Sequence, residues 1–245
     1  MSANDSLGDR MKASYEDRYR VMLPRRTFTV LRCDGKSFHT FTRQCEKPYD
    51  LGIVTAMDAA MLALCKAAQG AAFGYVQSDE ISVLLADFQT IRTDAWFDGN
   101  LQKLVSVAAS VVTAAFNAAW QARPITGDEM ISIAPAHFDC RAFVIPDPIE
   151  VENYMVWRQQ DAVRNSIQGL AQAHFSAKAL HGISNELAQE MLFREKGINW
   201  NDRPTGEKRG RCAVYEYGAW RIDHEIPVFT QDRAWLRALI PTRQD

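Results

Sequence analysis

The chain lacks the cysteine pattern of either a disulfide scaffold or a zinc site. Its five cysteines, at positions 33, 45, 65, 140 and 212, form no Cys-x-x-Cys pair and no Cys/His group with zinc-ligand spacing. Their odd number predicts reduced thiols and a cytoplasmic protein. Long apolar runs are also missing: the longest charge-free stretch near the middle, 104–120, is rich in Ala and Ser and barely reaches spanning length. Residues 1–20 are polar and charged, so neither a membrane span nor a signal peptide is expected. Positive charge is not in excess, 28 Lys and Arg standing against 30 Asp and Glu, so binding to nucleic acid would depend on local patches. No internal repeat or low-complexity tract occurs. Hydrophobic residues are plentiful, at 47% of 245, enough for a full core in one large domain or two small ones.

The pattern of those apolar residues sets the order of elements. Residues 27–33 read as a strand. A helix over 51–68 follows, with Leu51, Val54, Met57, Met61, Leu64 and Cys65 on one face, Asp50 as its cap and Gly70 at its end. Residues 73–77 and 80–85 read as a β-hairpin, 100–122 as a second helix stopped by Pro124, and 137–144 as a strand of alternating character. Strand, helix, strand, strand, helix, strand is the ferredoxin-like βαββαβ arrangement of polymerase and nucleotidyl-cyclase palms. Beyond Pro146-Asp147-Pro148 the pattern turns mainly helical, over 150–175 and 184–196. The expectation is therefore an α+β palm with a mainly helical C-terminal extension. Residues 1–135 would form the palm core, and 136–245 the last palm strand plus a helical region.

Two short segments carry the chemistry. Asp34-Gly35 ends the first strand, and Ser78-Asp79-Glu80 forms the hairpin turn. In a βαββαβ sheet the first strand lies beside the third, so Asp34 and Asp79 fall at one edge. Paired carboxylates there suit divalent cations that prefer hard oxygen ligands and hold a triphosphate. Each segment alone is an ordinary turn signal; the pair in this order is not. Two basic patches stand out: Arg18, Arg20, Arg25 and Arg26 before the first strand, and Arg203, Lys208, Arg209 and Arg211 in a Pro/Gly-punctuated loop.

Five ordered segments then resemble the signatures of the tRNA-His guanylyltransferase family: Arg32-Cys33-Asp34-Gly35-Lys36-Ser37-Phe38-His39, Glu46-Lys47-Pro48-Tyr49-Asp50, Gln77-Ser78-Asp79-Glu80, Gln102-Lys103-Leu104-Val105-Ser106 and Tyr154-Met155-Val156-Trp157-Arg158-Gln159-Gln160-Asp161. The resemblance implies a palm enzyme that extends RNA at its 5′ end, in the 3′-to-5′ direction. Asp34 and Asp79 match its metal-binding carboxylates, and Gly35 matches the residue lending a backbone carbonyl. Lys36, Ser37, Phe38 and His39 match the loop around nucleotide and triphosphate, with Ser78 supporting the phosphates. Lys47 matches an active-site lysine, Asp50 a nucleotide contact or a helix cap, and Glu80 an orienting residue or a plain strand start. Lys103, Arg203, Lys208 and Arg209 are the RNA-contact candidates.

Implied with these are two Mg2+ ions per site, ATP as activator, GTP or another nucleoside triphosphate as substrate, tRNA as partner and a homotetramer. The implied chemistry has two stages. A 5′-monophosphate on the RNA attacks the α-phosphate of ATP and releases pyrophosphate; the 3′-OH of an incoming nucleotide then attacks the activated 5′ end. Where eukaryotic members carry His-Ile-Asn-Asn, this chain reads Val163-Arg164-Asn165-Ser166, and Gly99 and Asn100 replace the arginines before Lys103. Those departures resemble the branch that repairs 5′-truncated tRNA by copying the opposite strand rather than adding a non-templated guanylate. A nucleotidyl-cyclase-like palm and a non-catalytic RNA-binding module are the other classes. Turnover of nucleotide and its dependence on RNA would separate the three.

Overall fold

Side-chain caps set where the helices begin. Asp50 accepts the Ile53 N–H, Asn100 the Lys103 N–H, Asp147 the N–H groups of Ile149 and Glu150, and Ser184 the Leu187 N–H. The computed structural model describes residues 6–124 and 134–243. In chain order they form α1 (Ser6–Met11), β1 (Phe28–Gly35), α2 (Phe38–Phe41), α3 (Leu51–Ala67), β2 (Ala71–Gln77), β3 (Glu80–Ala86), α4 (Leu101–Ala122), β4 (Phe138–Ile145), α5 (Pro148–His174), α6 (Asn185–Lys196), α7 (Thr205–Arg209), β5 (Arg211–Glu216), β6 (Ala219–Asp223) and α8 (Arg233–Leu239).

The strands make one antiparallel sheet in the order β4-β1-β3-β2-β5-β6. Its first four members are the ferredoxin-like palm, and the fold is α+β. Alternation along the strands builds two cores. Leu31, Cys33, Ile81 and Val83 face α3 and α4, whereas Val30, Leu84 and Ala86 face α5 and α8. β3 is buried along its whole length because helices cover both faces. By length and composition alone α4 could cross a membrane, yet it lays Leu104, Ala108, Val112 and Phe116 into the core shared with α3. At Gly70, φ is +80° and a Cβ would lie 2.5 Å from the Ala86 carbonyl oxygen, so glycine is what lets the chain leave α3 and enter β2.

Two findings differ from the sequence reading. β1 runs past residue 33 to Gly35, because β3 and β4 flank it and carry the ladder through Asp34. The C-terminal part, mainly helical as expected, also adds β5 and β6 to the palm's β2 edge. Their hairpin turns at Tyr217-Gly218, where both residues have positive φ, the twist-compatible geometry of a two-residue hairpin loop. The basic segment 203–211 is thus no loop. It comprises α7 and the start of β5.

Candidate active site

Asp34 is the penultimate residue of β1 and stands directly across from Glu80 of β3 and Asp139 of β4. Directly opposed residues of antiparallel strands share a face. Asp34, Glu80 and Asp139 therefore form a row on the α5 side, with Arg32 two residues back along the same face. Asp79 occupies the turn between β2 and β3, where Ser78 adopts a left-handed φ of 49°. The Gly35 N–H donates to the Asp79 carbonyl at 3.1 Å. A Cβ on Gly35 would lie 2.9 Å from Asp79 Oδ2 and 2.5 Å from the Phe38 ring, so only glycine lets the two strand ends close this tightly. Carboxylates 45 residues apart meet at one corner of the sheet.

Burial pushes the Asp79 carboxyl above its ordinary range, and the nearby Asp34 charge adds to the rise against backbone and Ser78 hydrogen bonds. A cation beside the pair would offset both effects. Asp34, Asp79 and the Gly35 carbonyl could supply it with hard oxygen donors, the chemistry of magnesium. No group of three or more His, Cys, Asp or Glu side chains placed to hold a metal occurs among the described residues. An ion here would complete its shell from water and substrate phosphates, as magnesium commonly does.

Next to this corner opens a cavity of ≈ 500 Å³, walled by the 35–50 segment, the Ser78-Asp79 turn, α5 and α7. That volume suits a nucleotide-sized ligand. Gly35, Ser37, Phe38, His39, Lys47, Asp50, Ser78 and Asp79 all line it; Asp34 and Lys36 do not. Lys36 instead fixes the loop through its backbone N–H to the His137 carbonyl. Ser37 takes a left-handed φ of 51° and opens α2. The Phe38 ring packs against Phe41, Phe116 and Phe138, so it belongs to the core more than to a base-stacking surface. His39 is exposed, its Nε2 3.2 Å from the Thr40 hydroxyl. Lys47 donates to the Thr42 carbonyl at 2.8 Å. Asp50 caps α3 and also accepts the Glu46 N–H, so capping is its visible role.

Glu80 serves neither as a lining residue nor as a mere strand start. Its carboxylate is buried between Arg32 and Arg158, and Arg158 also pairs with Asp161. This cluster locks the residue after Asp79 to α5.

Several lining residues were not assigned to the nucleotide site from the sequence, although Asn165, Ser166 and Arg211 stood out there for other reasons. Ala162, Asn165 and Ser166 come from α5, and Gly206, Gly210 and Arg211 from the α7–β5 corner. Arg211 is buried and donates to Asp58 of α3 at 2.6 Å. Tyr49 and Tyr75 pin α7 through the Glu207 and Arg209 carbonyls, and burial pushes the Tyr49 phenol up to about 12. Only the fold brings these segments together, although the Tyr217-Gly218 turn was a readable sign of the hairpin that carries Arg211.

The RNA-contact candidates lie apart. Lys103 sits at the start of α4, 5.8 Å from the Phe97 ring, in a separate hollow with Arg20, Met22 and Asp98. Arg203 is paired with Glu207, and Lys208 donates to the Asn201 carbonyl above the Trp200 ring. Arg209 is half-buried. In the other patch, Arg25 is held by Asp87, Asp94 and Asp98.

The family model described as "Thg1: tRNAHis guanylyltransferase" matches residues 8–146. A solved bacterial tRNA(His) guanylyltransferase (Thg1)-like protein in complex with ATP superposes with a TM-score of 0.86 at 42% identity, covering 95% of this chain and 98% of that one. A similar bacterial protein in complex with GTP gives 0.81 at 40%, with 96% and 99% covered. The tRNA(His) guanylyltransferase of Saccharomyces cerevisiae is 30% identical over 78% of this chain and 83% of its own length. With its palm, its corner of carboxylates and these matches, the chain belongs to the tRNA(His) guanylyltransferase family of nucleotidyltransferases that act on tRNA.

Proposed function

We propose that this chain is a 3′–5′ nucleotidyltransferase that activates the 5′ end of tRNA and extends it under direction of the opposite strand, repairing 5′-truncated tRNA. The observation that carries the reading is the Asp34/Asp79 corner opening onto a nucleotide-sized cavity. In this reading Asp34, Asp79 and the Gly35 carbonyl hold magnesium, which supplies charge neutralisation and a more acidic attacking hydroxyl. ATP serves as activator, GTP or another nucleoside triphosphate as substrate, and the working unit is a homotetramer. Backbone N–H groups of the 35–39 loop and Ser78 hold the phosphates, while Lys47 offsets their charge. Catalysis then consists mostly of positioning.

Template direction is supported by what Ser166 does and by the departure of the 163–166 segment from the His-Ile-Asn-Asn motif. Ser166 sits between the Val163 and Lys208 carbonyls and accepts the Trp200 indole N–H, and Asn165 leans on Asp161. Ser166 is committed to these partners, and the segment departs from the His-Ile-Asn-Asn motif on either side of Asn165, which favours base pairing as what chooses the nucleotide. Presenting each of the four template bases opposite one missing 5′ position of a truncated tRNA tests this. The complementary nucleotide should be incorporated each time, and full-length tRNA-His facing an unpairable position should be a poor substrate. Guanylate added regardless of template would restore non-templated addition as the better description.

The α7 segment gives a second check. If Lys208 and Arg209 meet RNA phosphates, changing both to Ala should weaken tRNA binding and flatten its salt dependence by about one log–log unit per lost contact. ATP binding should be spared. An unchanged salt slope would leave both residues with the intramolecular role alone.

A further inference from the structure

On the α5 side of the sheet, Arg32, Arg141 and Trp157 form a group that the nucleotide cavity does not use, since none of them lines it. Arg32 and Arg141 are directly opposed on β1 and β4, so both side chains rise from one face. The Arg32 guanidinium lies 6.0 Å from the centre of the Trp157 ring. Arg158 covers that ring at 4.1 Å and Tyr154 meets it edge-on, yet Trp157 stays 48% exposed. A lone exposed aromatic residue is unremarkable; its charge surroundings and position set this one apart.

The carboxylates that hold the arginines around the ring are already engaged. Glu80 holds Arg32 and Arg158, and Asp161 holds Arg158 and Arg164. Arg141 is exposed, and its side chain makes no hydrogen bond or ion pair among the described residues. Asp139, also exposed on that face, adds opposing charge closer to Asp34. Along β1, Arg32 precedes Asp34 by two residues, roughly 7 Å. The unpaired guanidinium therefore rises from the face that carries Asp34, one ladder step back along the sheet, and the exposed ring neighbours Arg32 on that face, both outside the cavity.

We propose that Trp157 is the stacking platform for the terminal 5′ nucleotide of the acceptor RNA strand, with Arg141 meeting a backbone phosphate. The inference rests on the RNA 5′-end reading above. Aromatic stacking holds any base, since every base has a π-face, which is what an enzyme reading its template by pairing requires of the strand it extends. The incoming nucleotide occupies the cavity, and the RNA end approaches Asp34 across the open face beside α5.

The test measures binding of a 5′-monophosphorylated, 5′-truncated acceptor-stem hairpin across a salt series, with ATP KM and melting temperature recorded for each protein. Trp157→Ala should raise the hairpin Kd about five- to a hundredfold and leave the salt slope and the ATP KM unchanged. Trp157→Phe should recover most of the affinity, and Arg141→Ala should lower the slope by about 0.7 to 0.9. Wild-type affinity in Trp157→Ala overturns the inference alone. Parallel loss of ATP affinity and melting temperature, without rescue by Phe, also overturns it by marking a packing role. Absence of hairpin binding by the wild-type chain overturns the RNA reading, and the inference with it.

Discussion

Replacing either Asp34 or Asp79 by Ala is expected to lower both adenylylation and nucleotide addition by at least about a thousandfold, leaving the fold intact. Both carboxylates stand at the same corner, so under the proposed function one metal pair would serve both steps. Adenylylation of a 5′-monophosphate RNA and addition to a 5′-triphosphate RNA, measured separately in single turnover, should fall together. Loss of one step alone would mean that the two reactions do not share this site. Melting temperature should hold or rise in the absence of divalent cations, because burial already disfavours the Asp79 charge and the neighbouring Asp34 disfavours it further. Near-normal addition by either variant would show that the pair is not the metal site.

Much of this corner was legible before any coordinates, and the reasons are physical. Strand and helix periods differ enough that Asp34 and Asp79 could be placed at strand ends, and the βαββαβ order puts β1 beside β3. Local capping chemistry was equally readable at Asp50. What the sequence could not show is anything that depends on which distant segments the sheet brings alongside. Arg211 reaches the cavity only because β5 pairs with β2, and Glu80 is caught by Arg158 only because α5 crosses the face where Arg32 and Ser82 point. Phe38 shows the same limit from the other side: the sequence places it in the loop matched to the nucleotide site, and only the fold shows that its ring, besides lining the cavity, packs against Phe41, Phe116 and Phe138. The basic run at 203–211 shows the same dependence on distant partners. Charge in a sequence looks solvated until the fold supplies a partner, and Glu207 and Asp58 were there to do so.

The Glu80 cluster gives the other large expected effect. Arg158 is 3% exposed at its side chain and Glu80 7%, so their pair is screened by protein rather than water. Removing one partner of a buried ion pair strands the other, at a cost of about 3–5 kcal/mol. For a chain of this size that corresponds to a fall in melting temperature of roughly 6–20 °C. Arg158→Ala should approach the lower end of that range, because Glu80 keeps Arg32, while the double change Glu80→Gln with Arg158→Met, which removes both of the most buried charges and leaves only the 21%-exposed Arg32 without its carboxylate, should lose less. The sign of the pH dependence follows from Glu80. Burial raises its carboxyl above the ordinary value while Arg158 and Arg32 pull it down, so deleting Arg158 raises it further. The folded variant then binds a proton that its unfolded chain does not, in the window between the ordinary glutamate value and the raised one, and stability grows as pH falls through that window. The deficit of Arg158→Ala against wild type should therefore be largest near neutral pH and narrow on acidification. Because Glu80 follows Asp79 and faces Asp34 across the ladder, turnover measured well below the melting range should fall as well, with rate more affected than ATP affinity. A variant melting within a degree or two of wild type at neutral pH would show that Arg158 does not hold Glu80 in place.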